Sequence, residues 1–131
     1  MATLPKRLLH ETLEHAARVW PDKVAIHVGA RSCTFRELNG AANRLAAAMQ
    51  ARGFVRGGRV GVYMDNTLAC VVSIYATVKA GGVFVAVNPQ IKRDKLFFML
   101  NDCEAQHLLT DATGASQLAA DALAEVPSLS H

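Results

Sequence analysis

Apolar residues recur at helical spacing near the start of the chain: Leu8, Leu9, Leu13, Ala16, Ala17 and Trp20 share a face, and Pro21 marks the stop. This predicts a helix over residues 4–19. The period then shortens. "KVAIHV" and "RSCTF" read as two short strands joined across Gly29-Ala30, a hairpin over about residues 23–35 with a two-residue loop. Thr34 and Glu37, in the order T-F-R-E, have the spacing of a capping box, in which each side chain satisfies a free backbone N–H near the other. A second helix therefore starts there, with Leu38, Ala41, Ala42, Leu45, Ala48 and Met49 on one face and Gly53 as a left-handed cap.

From residue 36 to 125 strands and helices alternate. "RVGVYM" (59–64) is a short apolar strand, and Asp65-Asn66 are placed to cap a helix. "LACVVSIYATVKA" is apolar nearly all round, as expected of a helix buried on most sides. "VFVAV" (83–87) is a continuous apolar run, the pattern of a strand covered on both faces. Residues 92–103 predict a helix, "HLLT" a further buried strand and 112–125 a last, Ala-rich helix before Pro127. The fold class is α/β: an N-terminal helix and β-hairpin, then a three-stranded parallel βαβαβ unit with right-handed crossovers, all within one unit spanning 1–131.

Composition narrows the function classes. With 131 residues and 51% hydrophobic content the chain can bury one core. The net charge of +3 comes from interleaved acids and bases, and no basic stripe offers itself to nucleic acid. Cys33, Cys70 and Cys103 are too few and too far apart for a disulfide framework or a paired-Cys metal site. They read as apolar residues of a reducing compartment, the cytoplasm. The N-terminus lacks the uninterrupted apolar stretch of a secretory signal. Residues 67–89 nearly reach the length of a membrane span, but Lys79 at its middle would cost about 2.5–3.5 kcal/mol and Gly81-Gly82 would break it. No membrane span is expected.

Several patterns could carry chemistry, and most have a structural explanation. The glycines of "KAGGVFVAVNPQ" (79–90) precede a strand, whereas a phosphate loop follows one, and neither G-x-x-x-x-G-K-[ST] nor G-x-G-x-x-G is present. Gly81 is read as ending the helix and Gly82 as permitting a sharp entry into the strand. The glycines of "RGFVRGGR" (52–59) likewise lead into a strand. "HETLEH" has one residue too many for a zinc-protease motif, which leaves His10 and His15 about 140° apart on a helix. His27 and His107 fall inside strands. Asn88, Pro89 and Gln90 form a loop at the carboxyl end of a strand, near Lys92, Arg93 and Lys95, where ligands of open α/β sheets bind.

An ordered series of blocks runs from Trp20 to Asp111: P-D-K-V-A-I, T-F-R-E-L-N followed by A-N-R-L-A, a G-x-x-x-G-x-R-V strand entry, D-N at a helix start, K-A-G-G-V-F-V-A-V-N-P, and D-C-E-A-Q-H-L-L-T-D. Each block is weak, but the ordered set resembles the N-terminal part of the adenylate-forming (AMP-binding) superfamily, most of all an AMP-forming acyl-CoA synthetase. The resemblance implies a parent reaction in which ATP, with Mg, activates a carboxylic acid to an acyl-adenylate, followed by transfer to coenzyme A, as in fatty acid metabolism. It also implies that K-A-G-G is a helix-to-strand corner and not the ATP loop.

The superfamily's Ser/Thr/Gly-rich phosphate loop, its ribose-binding Asp and its C-terminal Lys have no counterpart in these 131 residues. The chain is therefore expected to be catalytically silent alone, with no catalytic residue, metal ligand or cofactor of its own. Mapped by position, the resemblance puts Asn88, Pro89 and Gln90, and the region after Asp111, near coenzyme A. The expected partner is the rest of the synthetase chain, or a second copy pairing through an exposed sheet edge. Two other readings stand beside this one: a non-catalytic interaction module on the same fold, and a complete small nucleotide-binding domain, which would need a phosphate loop.

Overall fold

The computed structural model describes residues 8–131. The first helix, α1 (Leu9–Val19), is followed by β1 (Val24–Val28) and β2 (Arg31–Thr34), then α2 (Phe35–Ala51) and β3 (Arg59–Tyr63). The chain continues through α3 (Leu68–Lys79), β4 (Val83–Val87), α4 (Arg93–Asp102), β5 (His107–Thr110) and α5 (Ala112–Glu125). The part of the expected first helix before Leu8 lies outside the described residues.

Local sequence explains the hairpin and its exit. β1 and β2 pair antiparallel, with Val28 opposite Arg31 across the two-residue loop, and Gly29 takes the positive φ of +59° that the turn requires. Thr34 Oγ1 accepts the Glu37 N–H at 3.2 Å while Glu37 Oε1 reaches the Thr34 N–H at 3.4 Å, so the capping box forms and α2 begins at Phe35. Gly53, at φ +81°, turns the chain out of α2.

β3, β4 and β5 form a parallel sheet in the order β4-β3-β5, the alternation having dictated crossover helices rather than hairpins. Successive residues of β3 point to opposite faces. Val60 joins a core with Leu38, Ala42, Met49 and Ala76 of α2 and α3. On the other face Tyr63, Val85, Val87 and Leu108 pack with Leu96, Leu100, Leu118 and Ala122 of α4 and α5. The result is three layers, helix on sheet on helix.

The structure corrects four expectations. β4 is not covered on both faces, since Val83 is 51% exposed and Ala86 is exposed. Strand order puts β4 at an edge and β3, with Val60 and Val62 buried, in the centre. α3 is only half-buried over most of its length, with Ser73, Ala76 and Thr77 as its buried residues. Its two buried hydroxyls donate back to Ala69 O and Ser73 O at 2.7 Å, which lets polar groups sit in the core. The cap of α3 is Thr67, whose Oγ1 accepts the Cys70 N–H, and not Asp65-Asn66. Finally, Leu8, Leu9 and Trp20 are exposed, so the apolar stripe of α1 is covered only around Leu13 and Ala16.

Candidate functional site

Strand order also places the site. β3 leads to β4 on one side and β4 returns across it to β5 on the other, so the connections diverge at the carboxyl ends of β3 and β5. Such a switch point opens a crevice in an α/β sheet. Here it is a cavity of about 350 Å³ bounded by Tyr63 and Asp65 after β3, Gln90 and Arg93 after β4, and Asp111 and Gln117 after β5.

Two of the three residues expected at this site line it: Pro89 and Gln90 do, and Asn88 stands just behind them. Asn88 Oδ1 accepts the Gln90 N–H at 2.9 Å, a side-chain turn that sets the loop's direction. Its backbone carbonyl accepts the Ile91 N–H at 3.2 Å. The loop is held from beneath by Tyr63, a residue that sequence reasoning passed over. Its Oη is 3.2 Å from both Pro89 O and Ile91 O, so one phenolic proton is shared between two carbonyls. The only sequence signal was its place as the last residue of a strand that faces this loop.

The electrostatics of the crevice differ from what the nearby basic residues suggested. Arg93 Nη2 is 2.7 Å from Asp121 Oδ2 and 3.6 Å from Glu125 Oε1, and its guanidinium lies 5.4 Å from the centre of the Phe97 ring. It therefore fastens α4 to α5. Lys92 and Lys95 are exposed, and neither lines the cavity. Asp111 caps α5, its Oδ1 accepting the Gly114 N–H at 2.8 Å. That carboxylate occupies the helix end where an anion would otherwise bind. Beside it, Gly114 sits so close to Thr110 Oγ1 that a Cβ would collide with it, and that hydroxyl oxygen is buried with no partner among the described residues. The arrangement offers amide and carboxylate groups for hydrogen bonding. Among the residues that line it, no hydrogen bond joins a nucleophile to a base.

The remaining candidates lie elsewhere. His10 and His15 are half-buried on α1, with His15 edge-on to Trp20 at 6.0 Å between ring centres. His27 is exposed on β1, whereas His107 is buried on β5. Cys33 is buried and Cys70 and Cys103 are half-buried, all three as free thiols. Burial pushes the Cys33 thiol up, with Glu37 adding to it, and burial alone raises Cys70. Neither thiol is primed for attack. No group of three or more His, Cys, Asp and Glu side chains gathers for a metal among the described residues, and no described helix is long and apolar enough to cross a membrane.

The model of the AMP-binding enzyme family matches residues 13–131. The chain belongs to the AMP-binding enzyme family. All the blocks from Trp20 to Asp111 fall within the matched range, so the resemblance to the adenylate-forming superfamily is upheld. Among curated members the chain is similar to bacitracin synthase 1 of Bacillus licheniformis, with 34% identity over 116 residues covering 88% of this chain and 2% of that protein. It is 38% identical to phosphinothricin tripeptide synthetase PhsC of Streptomyces viridochromogenes over 113 residues, covering 86% of this chain and 10% of that one. Its fold is similar to the anthranilate CoA ligase AuaEII in complex with anthranoyl-AMP, with a TM-score of 0.85 and 26% identity over 93% of this chain and 23% of AuaEII. It is also similar to VinN in complex with 3-methylaspartate, with a TM-score of 0.81 and 26% identity over 94% of this chain and 33% of VinN. The chain thus spans a small part of the AMP-binding enzymes it resembles.

Proposed function

We propose that this chain is a scaffold layer of an enzyme that uses ATP and Mg to join a carboxylic acid to AMP with release of pyrophosphate, and that the acid is an amino acid. The family match over residues 13–131 carries the first part, supported by the acyl-adenylate bound to AuaEII, whose fold the chain shares. The choice of acid rests on the peptide synthetases, which are 34% and 38% identical, against 26% for the CoA ligase. Binding of 3-methylaspartate by VinN supports the same choice. The finer expectation from sequence, an acyl-CoA synthetase acting on fatty acids, gives way to this reading.

The chain's own residues build and brace the sheet. Tyr63 fixes the loop after β4, and Arg93 ties α4 to α5. They supply no group aimed at a transferring phosphorus, so purified alone the chain releases no pyrophosphate. Its free thiols support a cytoplasmic location. A second reading keeps transfer to CoA, favoured by the AuaEII fold match. Asn88, Pro89 and Gln90 would then meet CoA, with the exposed Lys92 close by in the chain to attract phosphate.

The test is ATP–pyrophosphate exchange by the product of the native reading frame, across amino acids, aryl acids and fatty acids. Exchange that depends on an amino acid is the expected result. Exchange confined to fatty or aryl acids, with CoA-dependent release of AMP, overturns the amino-acid assignment in favour of the second reading. Exchange with none of the acids overturns both and leaves the non-catalytic module.

A further inference from the structure

Among the described residues, β4 is an edge strand whose only ladder partner is β3. The Val83 N–H donates to Gly58 O at 2.9 Å. In a parallel ladder the residues of a strand bond alternately to the neighbour on either side. Val83, Val85 and Val87 therefore turn their backbone groups toward β3, and Phe84 and Ala86 turn theirs outward. No hydrogen bond from the described residues meets those outward N–H and C=O groups.

An edge that stays open is usually blunted by a charge, a proline or a bulge, because bare backbone recruits other strands. The hairpin carries such devices. Its register shifts between Val24 and Ile26, and His27 and Arg31 stand exposed along it. β4 carries none of them. Its residues, VFVAV, are uncharged, and its register on β3 runs unbroken from Arg59 opposite Val83 to Tyr63 opposite Val87. Val83 is 51% exposed and Ala86 is exposed, and the two leave the strand on opposite faces. Parallel sheets are normally covered on both faces, so this edge has the chemistry of an interior strand.

We propose that the outer edge of β4 seats a further strand of the longer enzyme chain, an extended apolar segment from outside residues 1–131 that hydrogen-bonds to Phe84 and Ala86 and covers Val83. This rests on the scaffold part of the proposed function, in which the chain is one layer of a larger AMP-binding enzyme. Chain length selects this occupant over a second copy. The fold matches AuaEII over 93% of this chain but only 23% of AuaEII, and VinN over 94% of this chain but only 33% of VinN. A segment of the same chain competes for the edge at an effective concentration of about millimolar, whereas a second copy competes only at its bulk concentration. The segment is extended because the outward amides of Phe84 and Ala86 repeat every second residue, the repeat of a strand. It is apolar because Val83 and Ala86 stand open on the two faces that it would continue.

The test is amide hydrogen exchange at single-residue resolution over 83–87 in the product of the native reading frame, run beside the pyrophosphate-exchange assay. With the strand seated, Phe84 and Ala86 exchange within about tenfold of Val85, and dilution leaves their rates unchanged. Exchange at Phe84 and Ala86 about a hundredfold or more faster than at Val85 means an open edge and overturns the proposal. Slow exchange that is lost on dilution, as a dimer dissociates, overturns it in favour of a second copy. The assay separates this inference from the reading beneath it. An open edge in a product that catalyses pyrophosphate exchange removes the seat alone, whereas slow, dilution-proof exchange in a product that activates no acid keeps the seat and removes the activity.

Discussion

Lys79 Nζ lies 2.9 Å from Glu14 Oε1, and the lysine side chain is only 6% exposed. The pair pins α1 to the carboxyl end of α3, at the first residue of the K-A-G-G corner. Removing the carboxylate strands a buried ammonium, a change that costs about 3–5 kcal/mol in a fully buried pair. Glu14 is 41% exposed, so water can partly take its place. We expect Glu14→Gln to lower stability by about 1–3 kcal/mol in urea denaturation, and Lys79→Met to cost less than Glu14→Gln. A Glu14→Gln variant as stable as the parent would show that the lysine finds water by itself.

The same pair fixes an acid dependence. The hydrogen bond from Lys79 holds the Glu14 carboxyl below its ordinary 4.5, with burial opposing and the charges of Lys79, His10 and Arg18 assisting. A carboxyl lowered in the folded state contributes stability above 4.5 and loses it as pH falls through the lowered value. The stability gap between the parent and Glu14→Gln should therefore narrow as pH drops below about 4.5, measured as denaturation midpoints over a pH series. A gap that stays constant down to pH 3 would contradict it.

The two glycines of the corner do different work. Gly81 sits at φ +84°, and the nearest atom to an added Cβ is Arg56 Cγ at 3.0 Å, part of a movable side chain. Gly81→Ala should cost about 1–2 kcal/mol, from backbone strain. Gly82 has an ordinary φ, but a Cβ there would lie 2.6 Å from Phe54 Cζ and 3.1 Å from the Gly58 carbonyl oxygen, on the strand-entry side. Gly82→Ala should cost about 1–3 kcal/mol by overpacking, and truncating the ring in Phe54→Leu should recover part of it. Loss of that recovery in the double variant would return Gly82 to a purely conformational role.

What the sequence disclosed was local. Thr34 and Glu37 are three residues apart, Gly29-Ala30 is the whole hairpin loop, and α5 begins and ends where its Ala-rich pattern does, because each is decided by neighbours in the chain. The exposure of Val83 could not be read from "VFVAV", since an edge position follows from strand order and not from composition. Arg93 looked available for a ligand because its partners, Asp121 and Glu125, arrive from a helix two elements later. Thr67 displaced Asp65-Asn66 as the cap of α3 by a shift of one or two residues, the usual uncertainty at a helix start. The ordered blocks disclosed the family and the loop at 88–90, but no residue among them distinguishes an amino acid from a fatty acid.

The loop supplies a last prediction, one that bears on that distinction. Tyr63 Oη is 3.2 Å from Pro89 O and from Ile91 O, and its ring packs with the α4–α5 core. Tyr63→Phe keeps the ring and deletes the hydroxyl, leaving both carbonyls to water at a cost of about 0.5–1.5 kcal/mol. Hydrogen exchange over residues 88–92 should accelerate while 59–63 stays protected, because the strand's own ladder is untouched. In the enzyme that carries this chain, amino-acid-dependent pyrophosphate exchange should be unaffected, since the deleted hydroxyl touches only two backbone carbonyls. If CoA docks on Asn88, Pro89 and Gln90, KM for CoA should instead rise several-fold in Tyr63→Phe at constant kcat, because a loosened loop must be ordered again on binding. A rise in that KM would place the second substrate at this loop, and its absence alongside faster loop exchange would remove CoA from it.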